Sequence, residues 1–282
     1  MRIKAFLLAA VMAATLLTAG CSKSSDSSSK PAEDSKAGSQ SSVEASKEES
    51  KTESKAEDSK KEESKESSAP SGKPVDASWF DDAVFVGDSV TLKLSYYAEN
   101  GDLGDAKFLC QGSLGYTNAL MALEEEGNVH PSYEGTTYTV DEGCKTINPK
   151  KVFVMLGMND IGLYGVDGAA ESMVTLTDKI AANCPDAVIY IESVTPMVEG
   201  FTLGDLNNEN IRKFDEKLKS VCEEKGYKYL DVYSAVDDGN GNLIYDYCGD
   251  PPTEDNPDAM GLHFNDNGCK AWADYLKENV EA

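Results

Sequence analysis

Five short apolar runs, most of them followed by a stretch with helical spacing, constrain this chain more than any other feature. They are AVFVGD from Ala83, AKFLCQG from Ala106, KVFVMLG from Lys151, AVIYIESV from Ala187 and YKYLDV from Tyr227. Helical patterns run near Ser89 to Glu99, Thr117 to Glu126, Gly168 to Asn183, Asn207 to Lys225 and Asp266 to Asn279. Such alternation predicts an α/β fold, a parallel sheet of about five strands with helices on both faces. The run KVFVMLG is apolar on both of its sides, as an interior parallel strand requires.

Before the first strand the chain has a different character. Arg2 and Lys4 precede an apolar run from Ala5 to Leu17, and Thr18-Ala19-Gly20-Cys21 follows, which is the layout of a secretory signal peptide. The run is short for a membrane span. Ala19-Gly20-Cys21 resembles a bacterial lipobox, although Thr18 stands where Leu is more usual. That resemblance implies lipidation of Cys21 and an anchor on the outer face of the cell membrane. Residues 22–75 consist largely of Ser, Glu, Lys and Asp. They offer too little apolar surface to offset chain entropy, and a flexible tether with a reach of roughly 40 Å is expected. The domain reading is therefore 1–21 signal and lipobox, 22–75 tether and 76–282 one globular domain.

The chain carries a net charge of −24. Acidic and basic residues nearly cancel over the first 75 positions, so the excess belongs to the globular part. A surface of that sign repels phosphate backbones and anionic lipid, which argues against nucleic-acid partners. Seven cysteines occur without a C-x-x-C pair, and the two histidines, His130 and His263, are far apart in sequence. Neither pattern offers a transition-metal site, and no cofactor fingerprint is present. In DDGNGNLIYDY the calcium-loop glycine is missing at the required position, so a turn or short hairpin is expected there.

Ligands of open α/β sheets bind at the carboxyl ends of the strands. Three polar clusters occupy that position: Gly87-Asp88-Ser89, Gly112-Ser113-Leu114-Gly115 and Gly157-Met158-Asn159-Asp160. His263 stands just before the final helix, in MGLHFNDNG. Each feature alone has an ordinary explanation as a turn, a helix cap or a core histidine. In this order they supply a nucleophile, oxyanion donors and a base, the parts an acyl-transfer site needs. A serine hydroxyl attacks only when a neighbouring base takes its proton, a task suited to imidazole. His130 lies in the turn-rich GNVHPSYEG, so His263 is the expected base.

These blocks resemble the SGNH hydrolases, also called GDSL esterases and lipases, from about Phe80 to Tyr275. The first block matches Gly87-Asp88-Ser89, with Val90 in place of Leu. The second matches Gly112, the third Gly157 to Asp160 and the last His263. The resemblance implies a flavodoxin-like three-layer α/β/α sandwich and a metal-free serine hydrolase. Ser89 would be the nucleophile, with an oxyanion hole made by the N–H groups of Ser89 and Gly112 and the side-chain amide of Asn159. One position departs from the pattern: the family places Asp three residues before the His, and here Met260 stands there. A thioether cannot replace a carboxylate as acceptor. Asp258 is the nearest acid upstream and is taken as the third catalytic residue. Asp255 and Asp250 share its loop, and a backbone carbonyl orienting the ring is the alternative.

The expected function is a lipid-anchored extracellular esterase that removes acyl groups, chiefly O-acetyl, from carbohydrate or cell-wall glycan or another small ester. Two other readings use the same residues: an O-acyltransferase, and a glycan-binding lipoprotein with an inert site.

Overall fold

The computed structural model describes residues 73–281. The signal segment, Cys21 and most of the tether lie outside the described residues. Val75, which composition assigns to the tether, is buried and its N–H donates to the Lys277 carbonyl at 2.8 Å, so the folded unit includes it.

All five apolar runs form strands of one parallel sheet. In chain order the elements are β1 (Ala83–Gly87), α1 (Ser89–Ala98), β2 (Lys107–Cys110) and α2 (Tyr116–Ala119), then the pair β3 (Ser132–Tyr133) and β4 (Thr136–Thr137). There follow α3 (Val140–Ile147), β5 (Lys151–Met155), α4 (Met158–Asn183), β6 (Val188–Glu192) and α5 (Asn208–Lys225). The chain ends with β7 (Lys228–Leu230), α6 (Val232–Val236) and α7 (Asp266–Asn279). The sheet order is β2-β1-β5-β6-β7, with every neighbour parallel. Renumbered within the sheet this is 2-1-3-4-5, the flavodoxin-like order. Helices α3, α4 and α5 pack together as one layer and α1 with α7 as the other, which completes a three-layer α/β/α sandwich.

Why the sheet adopts this register is visible in its side chains. Phe85 lies opposite Phe108 and Phe153, and Phe153 lies opposite Tyr190. The four rings stack in a row across four strands, with centroids 5.2, 4.6 and 4.6 Å apart. A slip of one residue would turn the whole row to the opposite face. Trp79 meets Phe153 and Tyr190 edge-on, and Phe80 packs tilted against Phe85 and Phe153.

The helices differ from expectation where tertiary contacts outweigh local pattern. Helix α2 stops at Ala119, where the Leu120 N–H turns back to the Thr117 and Asn118 carbonyls, and Leu123 stays 42% exposed. Helix α3 was not expected; within VDEGCKTI only Val140, Cys144 and Ile147 mark its apolar side. Helix α4 starts ten residues earlier than expected, and a break at Gly165 separates its first turns from the rest. The segment DDGNGNLIYDY forms the expected turn, closed by a bridge between Asp237 and Leu243.

One core carboxyl has consequences for stability. Glu192, at the end of β6, is 1% exposed; burial pushes its pKa up to about 8, a rise only partly opposed by the Trp272 indole. Glu192 Oε1 and Trp272 Nε1 both lack a well-formed hydrogen bond among the described residues. The native state therefore keeps a proton that the unfolded chain has released above the ordinary glutamate range. This contribution is fully present below that range and is lost as pH rises through about 8, by as much as about 5 kcal/mol. Glu192→Gln should flatten the fall of the thermal midpoint between pH 5 and 8.5 and leave the variant more stable than wild type at the upper end. A wild-type slope retained in the variant would show that other groups govern it.

Candidate active site

The strand order reverses between β1 and β5, so the crevice of this sheet opens where the first and third loops leave it. Gly87 ends β1 because no side chain fits there: a Cβ would stand 1.9 Å from Thr91 Oγ1 and 2.9 Å from the Met155 carbonyl. The chain then turns sharply. Asp88 caps α1, its Oδ1 accepting from Val90 N–H at 2.9 Å, and Ser89 becomes the first residue of that helix. The backbone N–H of Ser89 has no acceptor among the described residues, as the first turn of a helix dictates.

The second loop leaves β2 beside it. Gln111 N–H donates to the Gly87 carbonyl at 3.2 Å, so Gly112 follows directly beyond the nucleophile turn. Its own N–H is likewise without an acceptor among the described residues. A Cβ at Gly112 would meet no protein atom within 4 Å, so packing does not demand glycine there; the space is open to a ligand. Ser113 takes a left-handed conformation, φ 65°, held by Asn118, which donates to the Ser113 carbonyl and accepts from Gly115 N–H, each at 2.8 Å.

The third loop ties the first two together. At Gly157, φ 130°, a Cβ would come 2.5 Å from the Phe214 ring. Asn159 Nδ2 donates to the Leu114 carbonyl at 3.0 Å and to Asp88 Oδ2 at 3.4 Å. Asp160, 1% exposed, accepts from the N–H groups of Tyr116 and Thr117 at 2.8 and 2.9 Å and so anchors the start of α2. Burial raises the pKa of Asp160 and carries that of Asp88 to about 6, against the pull of the Val90 N–H and of His263. Both carboxylates brace loops.

Across the crevice, His263 Nε2 lies 2.9 Å from Ser89 Oγ, and its Nδ1 lies 2.7 Å from Asp250 Oδ2. The acid differs from the one expected. Asp258 is exposed and makes no hydrogen bond to the ring among the described residues, whereas Asp250, thirteen residues before the histidine, reaches it. An antiparallel bridge between Cys248 and Phe264 brings the two segments side by side. Gly249 N–H donates to the His263 carbonyl at 2.7 Å, and Gly261 N–H to the Asp250 carbonyl at 3.0 Å. Asp250 Oδ1 also accepts from the N–H groups of Leu262 and His263 at 3.1 and 2.9 Å. The carboxylate is thus fixed to the histidine's backbone as well as its ring, and the Pro-containing stretch between them bulges away. His130 is buried, and neither of its ring nitrogens has a hydrogen-bond partner among the described residues. A groove of about 530 Å³ between α4 and α5, lined by Val166, Asp167, Asn210 and Lys217 among others, contains none of these groups.

The sequence from residue 85 to 271 matches the family model of the GDSL-like lipase/acylhydrolase family. The chain belongs to that family. Among curated proteins, a multidomain esterase of Ruminococcus flavefaciens is 24% identical over 140 residues, which cover 49% of this chain and 16% of that protein. Two solved structures share the fold. One, from Streptococcus pneumonia and named for a platelet activating factor, is 20% identical with a TM-score of 0.51, covering 70% of this chain and 82% of the other. The second, from Bacteroides fragilis and named for an acylhydrolase, is 16% identical with a TM-score of 0.50, covering 69% and 83%. Residues 85–271 are thus a GDSL-like lipase/acylhydrolase domain, and the chain spans about a sixth of the length of the curated esterase it matches.

Proposed function

We propose that the domain hydrolyses acyl esters through a Ser89–His263–Asp250 triad. One observation carries the reading: a continuous chain of hydrogen bonds, 2.9 Å from serine to imidazole and 2.7 Å from imidazole to carboxylate. In the first step Ser89 Oγ attacks the ester carbonyl while His263 Nε2 takes the hydroxyl proton. Asp250 keeps the opposite nitrogen protonated and stabilises the imidazolium. The carbonyl oxygen gains negative charge, which the free N–H groups of Ser89 and Gly112 receive. Asn159 joins them by exchanging its long 3.4 Å contact with Asp88 for the oxyanion. Each such donor contributes about 3 kcal/mol to the transition state. Collapse expels the alcohol with the proton from His263, leaving an acyl-Ser89 ester. Water then attacks, His263 again taking and returning the proton, and the carboxylic acid departs.

The substrates favoured are acyl groups, chiefly acetyl, on carbohydrate or cell-wall glycan outside the cell. A strongly acidic surface supports this, since it disfavours work on anionic lipid. The N-terminal sequence supports it as well: a lipidated Cys21 and a long polar tether suit a domain held at the outer face of the membrane. Acetate release from an O-acetylated glycan, compared with a neutral lipid ester, tests the substrate class. Release from the glycan with little action on the lipid is expected, and the reverse would overturn it.

A further inference from the structure

Asp250 accepts one bond that neither the backbone nor the histidine supplies. The Cys248 thiol, 6% exposed, lies 3.5 Å from Asp250 Oδ1 and is oriented to donate to it. Apart from the imidazole it is the one side chain hydrogen-bonded to this carboxylate among the described residues. It is itself held in place: its N–H donates to the Tyr245 carbonyl, its carbonyl accepts from Asn265 Nδ2 at 3.2 Å, and it forms the bridge with Phe264. The carboxylate plane can tilt about its final bond, and that tilt sets how squarely the oxygen at 2.7 Å meets the ring Nδ1.

We propose that Cys248 is a positioning residue for the Asp250–His263 pair, its S–H joining the Leu262 and His263 N–H groups on Oδ1 and holding the tilt of the carboxylate that Oδ2 presents to Nδ1. The inference rests on the triad assigned above. Burial, with some help from the neighbouring carboxylate, pushes the thiol pKa up to about 12, so at neutral pH the sulfur keeps its hydrogen and remains a donor. A thiolate there would repel Asp250. The other carboxylate that interacts with His263 is Asp88, on the nucleophile turn, and no hydrogen bond joins it to Cys248 among the described residues.

The test compares full-length wild type with Cys248→Ala and Cys248→Ser. Thermal midpoints establish that each variant is folded. With a small ester, Cys248→Ala should lower kcat by about threefold to tenfold with KM unchanged, because the thiol touches no substrate. The acidic limb of its pH–rate profile should shift, and Cys248→Ser, which retains a donor, should recover most of the loss. Proton NMR of the His263 Nδ1–H reads the same geometry without turnover: a sharp downfield resonance in wild type and Cys248→Ser, broadened or displaced in Cys248→Ala. Wild-type kcat and resonance in folded Cys248→Ala would overturn the proposal, and so would equal losses in both variants, since side-chain volume would then be the cause. If no protein hydrolyses esters yet the resonance responds as described, the esterase reading fails while the role of Cys248 stands.

Discussion

Asp250→Asn should lower kcat for a small ester by about 10⁴, whereas Asp258→Asn should leave it within about twofold. The asymmetry follows from contacts. Asp250 Oδ2 meets His263 Nδ1 at 2.7 Å, and Asp258 is exposed with no bond to the ring among the described residues. An asparagine at 250 has either its oxygen or its amide toward the ring. The amide would favour the imidazole tautomer whose proton sits on the wrong nitrogen, and neither group balances the imidazolium charge that forms as Ser89 attacks. Oδ1 also receives the Leu262 and His263 N–H groups, so an inserted amide there would face two donors and loosen the loop. Steady-state rates for the two variants, with a thermal melt of each to confirm folding, check this. A large loss at 258 with none at 250 would reverse the assignment.

Ser89→Ala should be more damaging still, with a loss of about 10⁶ in kcat. It removes the atom that bonds to the acyl group, and no other hydroxyl is bonded to His263 Nε2 among the described residues. The fold should survive the change. Ser89 is the first residue of α1, where its side chain caps nothing, and the cap is provided by Asp88. A variant that binds substrate normally but turns it over only at background rate is therefore expected.

Much of this architecture could be read from the chain because its central strands, β1, β5 and most of β6, are buried on both sides. A run such as KVFVM leaves no alternative to an interior strand, and the strand ends then fix where the polar clusters must lie. The placement of Ser89, Gly112, Asn159 and His263 was legible for that reason: three stand just beyond strand ends and the fourth just before a helix. Asp250 was not, since its distance from His263 along the chain says nothing of the bridge that joins Cys248 to Phe264. A faint signal existed. Leu262 and Phe264 are buried on either side of a half-exposed His263, the period of two that marks extended chain in need of a partner. The first turns of α4 were hidden for another reason: Gly162, Gly165 and Gly168 lower helix propensity, and the segment is held by the bonds of Asn159 and Asp160 to the second loop.

The central claim is that Ser89 is a nucleophile activated by His263. Its most direct test is mass spectrometry of the Ser89 peptide after brief exposure to a fluorophosphonate, run on wild type and on folded His263→Ala. Stoichiometric phosphonylation of Ser89 in wild type, with the variant slower by at least about a thousandfold, is the predicted result. An unlabelled Ser89 in wild type, or a label that forms equally fast without the imidazole, would contradict it.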